Sequence, residues 1–367
     1  LPFTISFDSL LYYFMSLFHL QSKIGRTIQR DQKEYLYFSG TDYLGLSSHQ
    51  ELEDLVIQGI HQLGLNHGLS RINNVRMDIY DQFEAFFSEK AGADKALVWS
   101  SGYLAGHATV NYLLDDTDYI FVAPDTHPAI LPDELNPDHY QSFRDWVTYV
   151  QEMAETLKPQ RILILGNATD PLQPAVHDYS WIGHLNRKHQ YTFLIDDSHA
   201  FGATGDTIFG TYNRWKYLPV ELLVAGSLGK GLGIPAGITI GQMTPIIGMA
   251  NRRTFRAASP PPQAYLWAFL QGQNIFKERF EKLQHNIQYF NLLIRNIDGI
   301  QGVLGFPIYS FTNRKWVSLL EDEGIIVSSF PYPEPTDPWS NRIVLSAHHE
   351  EADLDKLASI LRKIAEQ

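Results

Sequence analysis

The chain has 367 residues, 44% hydrophobic and 19% charged: enough apolar material for one large core and a smaller second one, and too apolar for a disordered polymer. A formal net charge of -12 argues against a nucleic-acid partner, because phosphate binding rests on clustered Lys and Arg. The absence of cysteine excludes disulfide frameworks, thiolate nucleophiles and Cys-based zinc sites, and accords with a reducing cytoplasm.

The first twenty residues, LPFTISFDSLLYYFMSLFHL, are greasy, but Asp8, Ser9 and His19 interrupt the run, and neither a basic n-region nor a small-residue cleavage site follows. They are expected to pack on the body as part of an arm over 1–42, with a membrane anchor as the alternative. Leu1 stands where an initiator Met would, so residues upstream are expected. From about residue 95, short apolar runs alternate with helical stretches, the pattern of a parallel sheet with crossover helices. The runs are ALVWSSG from Ala96, YIFVAPD from Tyr119, RILILGN from Arg161, YTFLIDD from Tyr191, ELLVAGS from Glu221 and AGITIG from Ala236. Most stop at Ser, Asp or Asn, as expected of strands buried on both faces whose carboxyl ends open into a ligand crevice. This predicts a large, mostly parallel α/β domain over 43–245.

Past Gly241 the strand rhythm weakens, and Pro260 to Pro262 precede a helix with Phe280, Leu283, Ile287, Phe290 and Ile294 on one face. The tail reads as a smaller α/β domain over 246–367: a helix at Trp316 to Glu323, strands at Ile325 to Ser328 and Arg342 to Ser346, and a closing helix from Asp353 to Ala365. His348-His349-Glu350-Glu351 has the residue types of a metal site, but neighbouring residues face different ways, so no metal is expected.

Three features carry chemistry. Lys230 lies in Gly226-Ser-Leu-Gly-Lys-Gly-Leu-Gly233 after a buried strand, where glycines let the backbone bring an amine close to a ligand. A solvated loop lysine is the plain alternative; a P-loop does not fit, since Val224 replaces its first glycine and Gly231 its Ser or Thr. Asp196-Asp-Ser-His199 ends the next strand back; a carboxylate there suits a protonated pyridine nitrogen such as that of pyridoxal phosphate (PLP), or equally caps a helix. Ser100-Ser101-Gly102-Tyr103 joins a strand to a helix, a phosphate cradle or an ordinary turn. His127, just after Asp125, could stack on a flat ring or be a loop residue.

Together these motifs resemble the fold-type I PLP enzymes, and within them the α-oxoamine synthases typified by 8-amino-7-oxononanoate synthase. The resemblance runs from about Tyr35 to the C-terminus, through YLYFSGTDYLGLSSH, GLSR, FEAFFSEKAGADKALVWSSGYLA, IDDSHAFG, AGSLGKGLG and RIVLSAHHEEADLDKL. It implies the aspartate aminotransferase-like fold, a homodimer, and decarboxylative condensation of a small amino acid with acyl-CoA, as in biotin biosynthesis. It also implies that Lys230 holds PLP as a Schiff base, that Asp196 pairs with the pyridinium, that His199 bonds the phenolic oxygen and that His127 stacks on the ring. Ser101, Gly102, Tyr103 and Ser227 would hold the phosphate, with Ser259 from the partner chain; Arg342 would clamp the substrate carboxylate, and Thr41, Ser70 and Arg71 would meet the substrate. The departures lie around the substrate: Thr41 for Asn, Val75 for Gly, Tyr80 for His, Asn167-Ala-Thr-Asp-Pro for a Glu followed by Ser-Met-x-Gly, and Ala257-Ala258 for Ser-Thr. They leave an aminotransferase, an aldolase-type enzyme and a non-catalytic binding scaffold as alternatives.

Overall fold

The computed structural model describes residues 19–366 apart from 31, 134, 141 and 333–336. Most of the greasy N-terminal arm therefore lies outside the described residues. The first strands, β1 (Thr27–Arg30) and β2 (Lys33–Phe38), form an antiparallel hairpin. The large sheet follows with β3 (Lys95–Trp99), β4 (Tyr119–Val122) and β5 (Arg161–Asn167). A small hairpin, β6 (Thr169–Asp170) and β7 (Ala175–Val176), leads to β8 (Gln190–Asp196), β9 (Glu221–Ser227) and β10 (Gly237–Gly241). Its order is β3-β10-β9-β8-β5-β4. The pairs β4–β5, β5–β8 and β8–β9 are parallel, while β10 runs antiparallel to both neighbours, so every strand but β10 points the same way.

Why these segments become central strands is visible in their side chains. Alternate residues such as Ile162, Ile164, Phe193, Ile195 and Val224 face one buried layer, while Leu163, Leu165, Leu194, Leu223 and Ala225 face the other. A helix over Gly102–Leu114 packs on the second face through Ala105, Ala108 and Val110. Burying each Leu or Ile contributes roughly 1.5–3 kcal/mol, so a slip of one residue in register is strongly opposed.

The second six-stranded sheet adds β11 (Ile300–Gly302), β12 (Ile308–Phe311), β13 (Ile325–Pro331) and β14 (Trp339–Val344), in the order β1-β2-β13-β14-β12-β11. Residues 27–38, read from sequence as arm, thus supply two strands to the C-terminal sheet, with β2 parallel to β13. The helix Gln273–Ile294 buries Phe280, Leu283, Ile287, Phe290 and Ile294, the predicted stripe. His349 is buried, stacks on Phe38 with ring centres 4.0 Å apart and bonds the Tyr37 carbonyl at 3.0 Å, so it pins the C-terminal lobe to β2. No helix among the described residues is long and apolar enough to cross a membrane.

Candidate active site

Parallel strands deliver their last residues to one edge of the sheet. There a cleft of about 740 Å³ is lined by Asp125 and His127 after β4, Asn167 at the end of β5, Asp196 at the end of β8, and His199 and Lys230 in the turns after β8 and β9. The turn carrying Lys230 needs its glycines: a Cβ on Gly231 would lie 2.1 Å from the Phe201 carbonyl oxygen. Lys230 Nζ lies 3.0 Å from His199 Nε2, and His199 Nδ1 lies 2.6 Å from the Tyr43 hydroxyl. Burial above all, then the Lys230 and Arg342 cations, hold the His199 pKa well below the ordinary imidazole range. A neutral imidazole carries one N–H, so with Lys230 as ammonium, Nε2 accepts and Nδ1–H donates to Tyr43. Burial lowers the Lys230 pKa, Asp196 raises it and Arg342 lowers it. The amine is thereby held nearer to its nucleophilic, uncharged form.

Asp196 is buried, and its Oδ1 accepts the Ser198 N–H at 2.7 Å, a local turn that aims the other oxygen toward His127, 3.8 Å away at Nδ1. His127 is fixed at both ends, its backbone N–H donating to Asn167 Oδ1 at 3.1 Å and its Nδ1 accepting from the Ala129 N–H at 3.1 Å. Burial, its largest influence, keeps the ring below the usual imidazole pKa. The next carboxylate, Asp197, points away into the core and accepts both the N–H and the hydroxyl of Thr211, at 2.6 and 2.8 Å. Burial pushes its pKa up from 3.8 to about 7 despite those two bonds. The folded state therefore holds this proton more tightly than the unfolded chain, and Asp197 costs stability as pH rises from about 4 to 7. Asp197→Asn is expected to gain stability over wild type between pH 5 and pH 8, read as the difference in denaturation midpoints; an unchanged difference would contradict the assignment.

Ser101 caps the helix Gly102–Leu114, its hydroxyl accepting the Leu104 N–H at 3.2 Å. The amides of Gly102 and Tyr103 have no acceptor among the described residues, and Gly102 packs against Ser227. A helix N-terminus with free amides suits an anion, and only glycine fits at its start: a Cβ on Gly102 would fall 2.4 Å from Ser227 Cβ and 2.5 Å from its Cα. Because backbone must move, Gly102→Ala is expected to weaken retention of a phosphorylated ligand by about tenfold, checked by equilibrium dialysis.

Thr41, Tyr103, Ser198 and Arg342 also line the cleft. Arg342 is 6% exposed; its Nη1 donates to the Pro171 carbonyl at 3.0 Å, while Nε is buried without an acceptor among the described residues. Other expected substrate contacts are elsewhere in this chain. Ser70 and Arg71 line a second cavity, where Arg71 is drawn away by Glu84, bonded through both guanidinium ends at 2.9 and 3.1 Å. Ser259 is exposed and lines neither cavity. The sequence reading gave no place to Tyr43 and Tyr332 and marked Asp125 and Asn167 only as strand ends; all four are cleft or near-cleft groups. Tyr43 could have been flagged as the polar-tipped residue of the Asp-Tyr-Leu-Gly-Leu segment.

With this geometry in view, the model of the family described as aminotransferase class I and II matches residues 33–361. The chain belongs to the aminotransferase class I and II family. Among curated members it is similar to the 8-amino-7-oxononanoate synthase of Citrifermentans bemidjiense, 25% identical over 359 residues, 94% of this chain and 92% of the relative. The enzyme of that name from Saccharophagus degradans is 26% identical over 360 residues, 94% and 90% of the two chains. Among solved structures, serine palmitoyltransferase of Sphingomonas wittichii superposes with a TM-score of 0.82 at 16% identity, covering 97% of this chain and 94% of its own. The 8-amino-7-oxononanoate synthase of Francisella tularensis gives 0.70 at 21% identity, covering 90% and 98%. These superpositions establish that this family member has the α/β fold of those enzymes.

Proposed function

We propose that the protein is a PLP enzyme of the α-oxoamine synthase type, joining a small amino acid to an acyl thioester such as acyl-CoA. The α-carbon bonds to the acyl carbon as the C–S bond breaks and the thiol leaves, and the substrate carboxylate departs as CO₂. One observation carries the reading: a half-buried lysine amine, 3.0 Å from a neutral histidine, shares a cleft with a strand-end carboxylate and a buried arginine. The curated relatives matched over nine-tenths of their length support it.

The donor set fits the cofactor. Lys230 would carry it covalently and move the α-proton, Asp196 would face the pyridine nitrogen, His199 the phenolic oxygen and His127 the ring, with Ser101, Gly102, Tyr103 and Ser227 around the phosphate. When bound, PLP supplies an electron sink for negative charge at the α-carbon. Arg342, its Nε free to pair with a carboxylate, would hold the amino acid by a two-pronged bond. Tyr43 keeps His199 in one tautomer.

A cytoplasmic homodimer belongs to the same reading. Leu65, Leu69, Ile72 and Val75 are exposed in the segment that carries Ser70 and Arg71, an apolar surface that a second copy would cover. Sedimentation is expected to give twice the chain mass, and a monomer with full activity would exclude a site shared between copies. The reaction itself is tested by incubating the PLP-loaded protein with glycine, alanine or serine and acyl-CoA donors of graded length. Thiol release with one pair supports condensation; conversion of the cofactor to its amine form without thiol release would make the enzyme an aminotransferase.

A further inference from the structure

The hairpin β6–β7 lies in the stretch where this chain departs from the family pattern, and it brings Asp170 to the wall of the cleft that Arg342 also lines. Asp170 Oδ1 is committed, accepting the Leu172 and Gln173 N–H groups at 2.7 and 3.1 Å. Its Oδ2 has no donor among the described residues. The following residue, Pro171, holds Arg342 through its carbonyl, and the Asp170 charge attracts Arg342 without a direct bond between the two side chains. A buried cation with an unpartnered Nε and an anion whose second oxygen has no donor among the described residues thus line one cavity without a hydrogen bond between them. A ligand that offers a carboxylate to one and a donor to the other would complete both.

Resting on the function proposed above, we infer that Asp170 reads the side chain of the amino-acid substrate and selects one ending in a hydrogen-bond donor, an ammonium in preference to a hydroxyl. With the α-carboxylate on Arg342, the side chain is the part left to reach Asp170. Charge favours a cation: among the described residues Asp125, Asp133, Asp170 and Asp196 line the cleft against Lys230 and Arg342. Burial first, and then the Asp125 carboxylate, hold the Asp170 pKa above the usual carboxylate range, and a cation placed there would favour its charged form. Asp125 reinforces the wall, its Oδ2 2.8 Å from His177 Nε2 and its Oδ1 buried without a partner among the described residues.

The competing reading is that Asp170 only closes the hairpin turn. Asp170→Asn separates the two, since an asparagine Oδ1 can accept the same two N–H groups while the negative oxygen is lost. The PLP-loaded wild type and D170N are titrated with 2,3-diaminopropionate, serine, alanine and aspartate, following the visible spectrum of the bound cofactor. Wild type is expected to bind diaminopropionate at least tenfold more tightly than alanine, with serine between and aspartate weakest. In D170N the ratio of the diaminopropionate constant to the alanine constant is expected to shrink to within about threefold, whatever shift both constants share through Arg342. An unchanged ranking in D170N, or an equal loss for alanine, would overturn the inference while leaving the cofactor reading intact. No spectral response to any amino acid in wild type would instead remove the proposed function, and this inference with it.

Discussion

Lys230→Ala is expected to abolish the visible absorption of the lysine-bound cofactor and to lower turnover by roughly 10²–10⁴-fold, with the fold preserved. The loss follows from position. The half-buried Lys230 amine sits at the edge where β8 and β9 end, 3.0 Å from His199 Nε2, and no other lysine lines the cleft among the described residues. Water admitted into the space of the missing side chain cannot replace an amine that both attaches the cofactor and carries the α-proton. Lys230→Arg is expected to fail as well, because a guanidinium stays protonated and is a poor nucleophile. Circular dichroism and cofactor absorbance, measured on the same samples, separate a chemical defect from misfolding. A Lys230→Ala protein with unchanged function would favour the binding-scaffold alternative.

Much of this site was legible because its chemistry sits at strand ends and those strands are buried on both faces. Runs such as RILILGN and YTFLIDD must be apolar throughout, so the first polar residue marks the sheet edge, and Asn167 and Asp196 both lie there in adjacent register. The Gly-flanked lysine was visible for a similar reason, since only glycine tolerates the approach to the Phe201 carbonyl. What stayed hidden are long-range partnerships. Tyr43 meets His199 across 156 positions, and no local pattern distinguishes a tyrosine that supports a histidine from one that fills a core. The hairpin of β1 and β2 was obscured because TIQR and KEYLYF bury few residues, chiefly Ile28, Tyr35 and Phe38, and their pairing with β13 is non-local. Asp170 read as part of an altered loop; its meaning depends on Arg342, which arrives from the other sheet.

The same limitation applies to Arg71, whose sequence context resembles a substrate contact while its guanidinium is spent on Glu84. Arg71→Ala is expected to destabilise the protein by about 3–5 kcal/mol, because it strands a buried carboxylate. Glu84 accepts two bonds from Arg71 and one from the Val98 N–H at 2.8 Å, and Arg71 also lies 5.0 Å from the rings of both Tyr80 and Phe255. Even in this arrangement burial, the largest influence, keeps the Glu84 pKa above its ordinary value while Arg71 pulls it down. Deleting the guanidinium removes that pull, so the folded-state pKa rises further above the unfolded one. The proton is then bound more tightly in the folded state, and the variant loses stability as pH rises through that window. Its deficit against wild type is therefore expected to grow between pH 5 and pH 8, measured by denaturant midpoints. Adding Glu84→Gln to Arg71→Ala removes the stranded charge and is expected to restore at least half of the loss and to flatten the pH dependence. Equal instability of the single and double variants at both pH values would mean that Arg71 acts by packing between Tyr80 and Phe255 and not by neutralising Glu84.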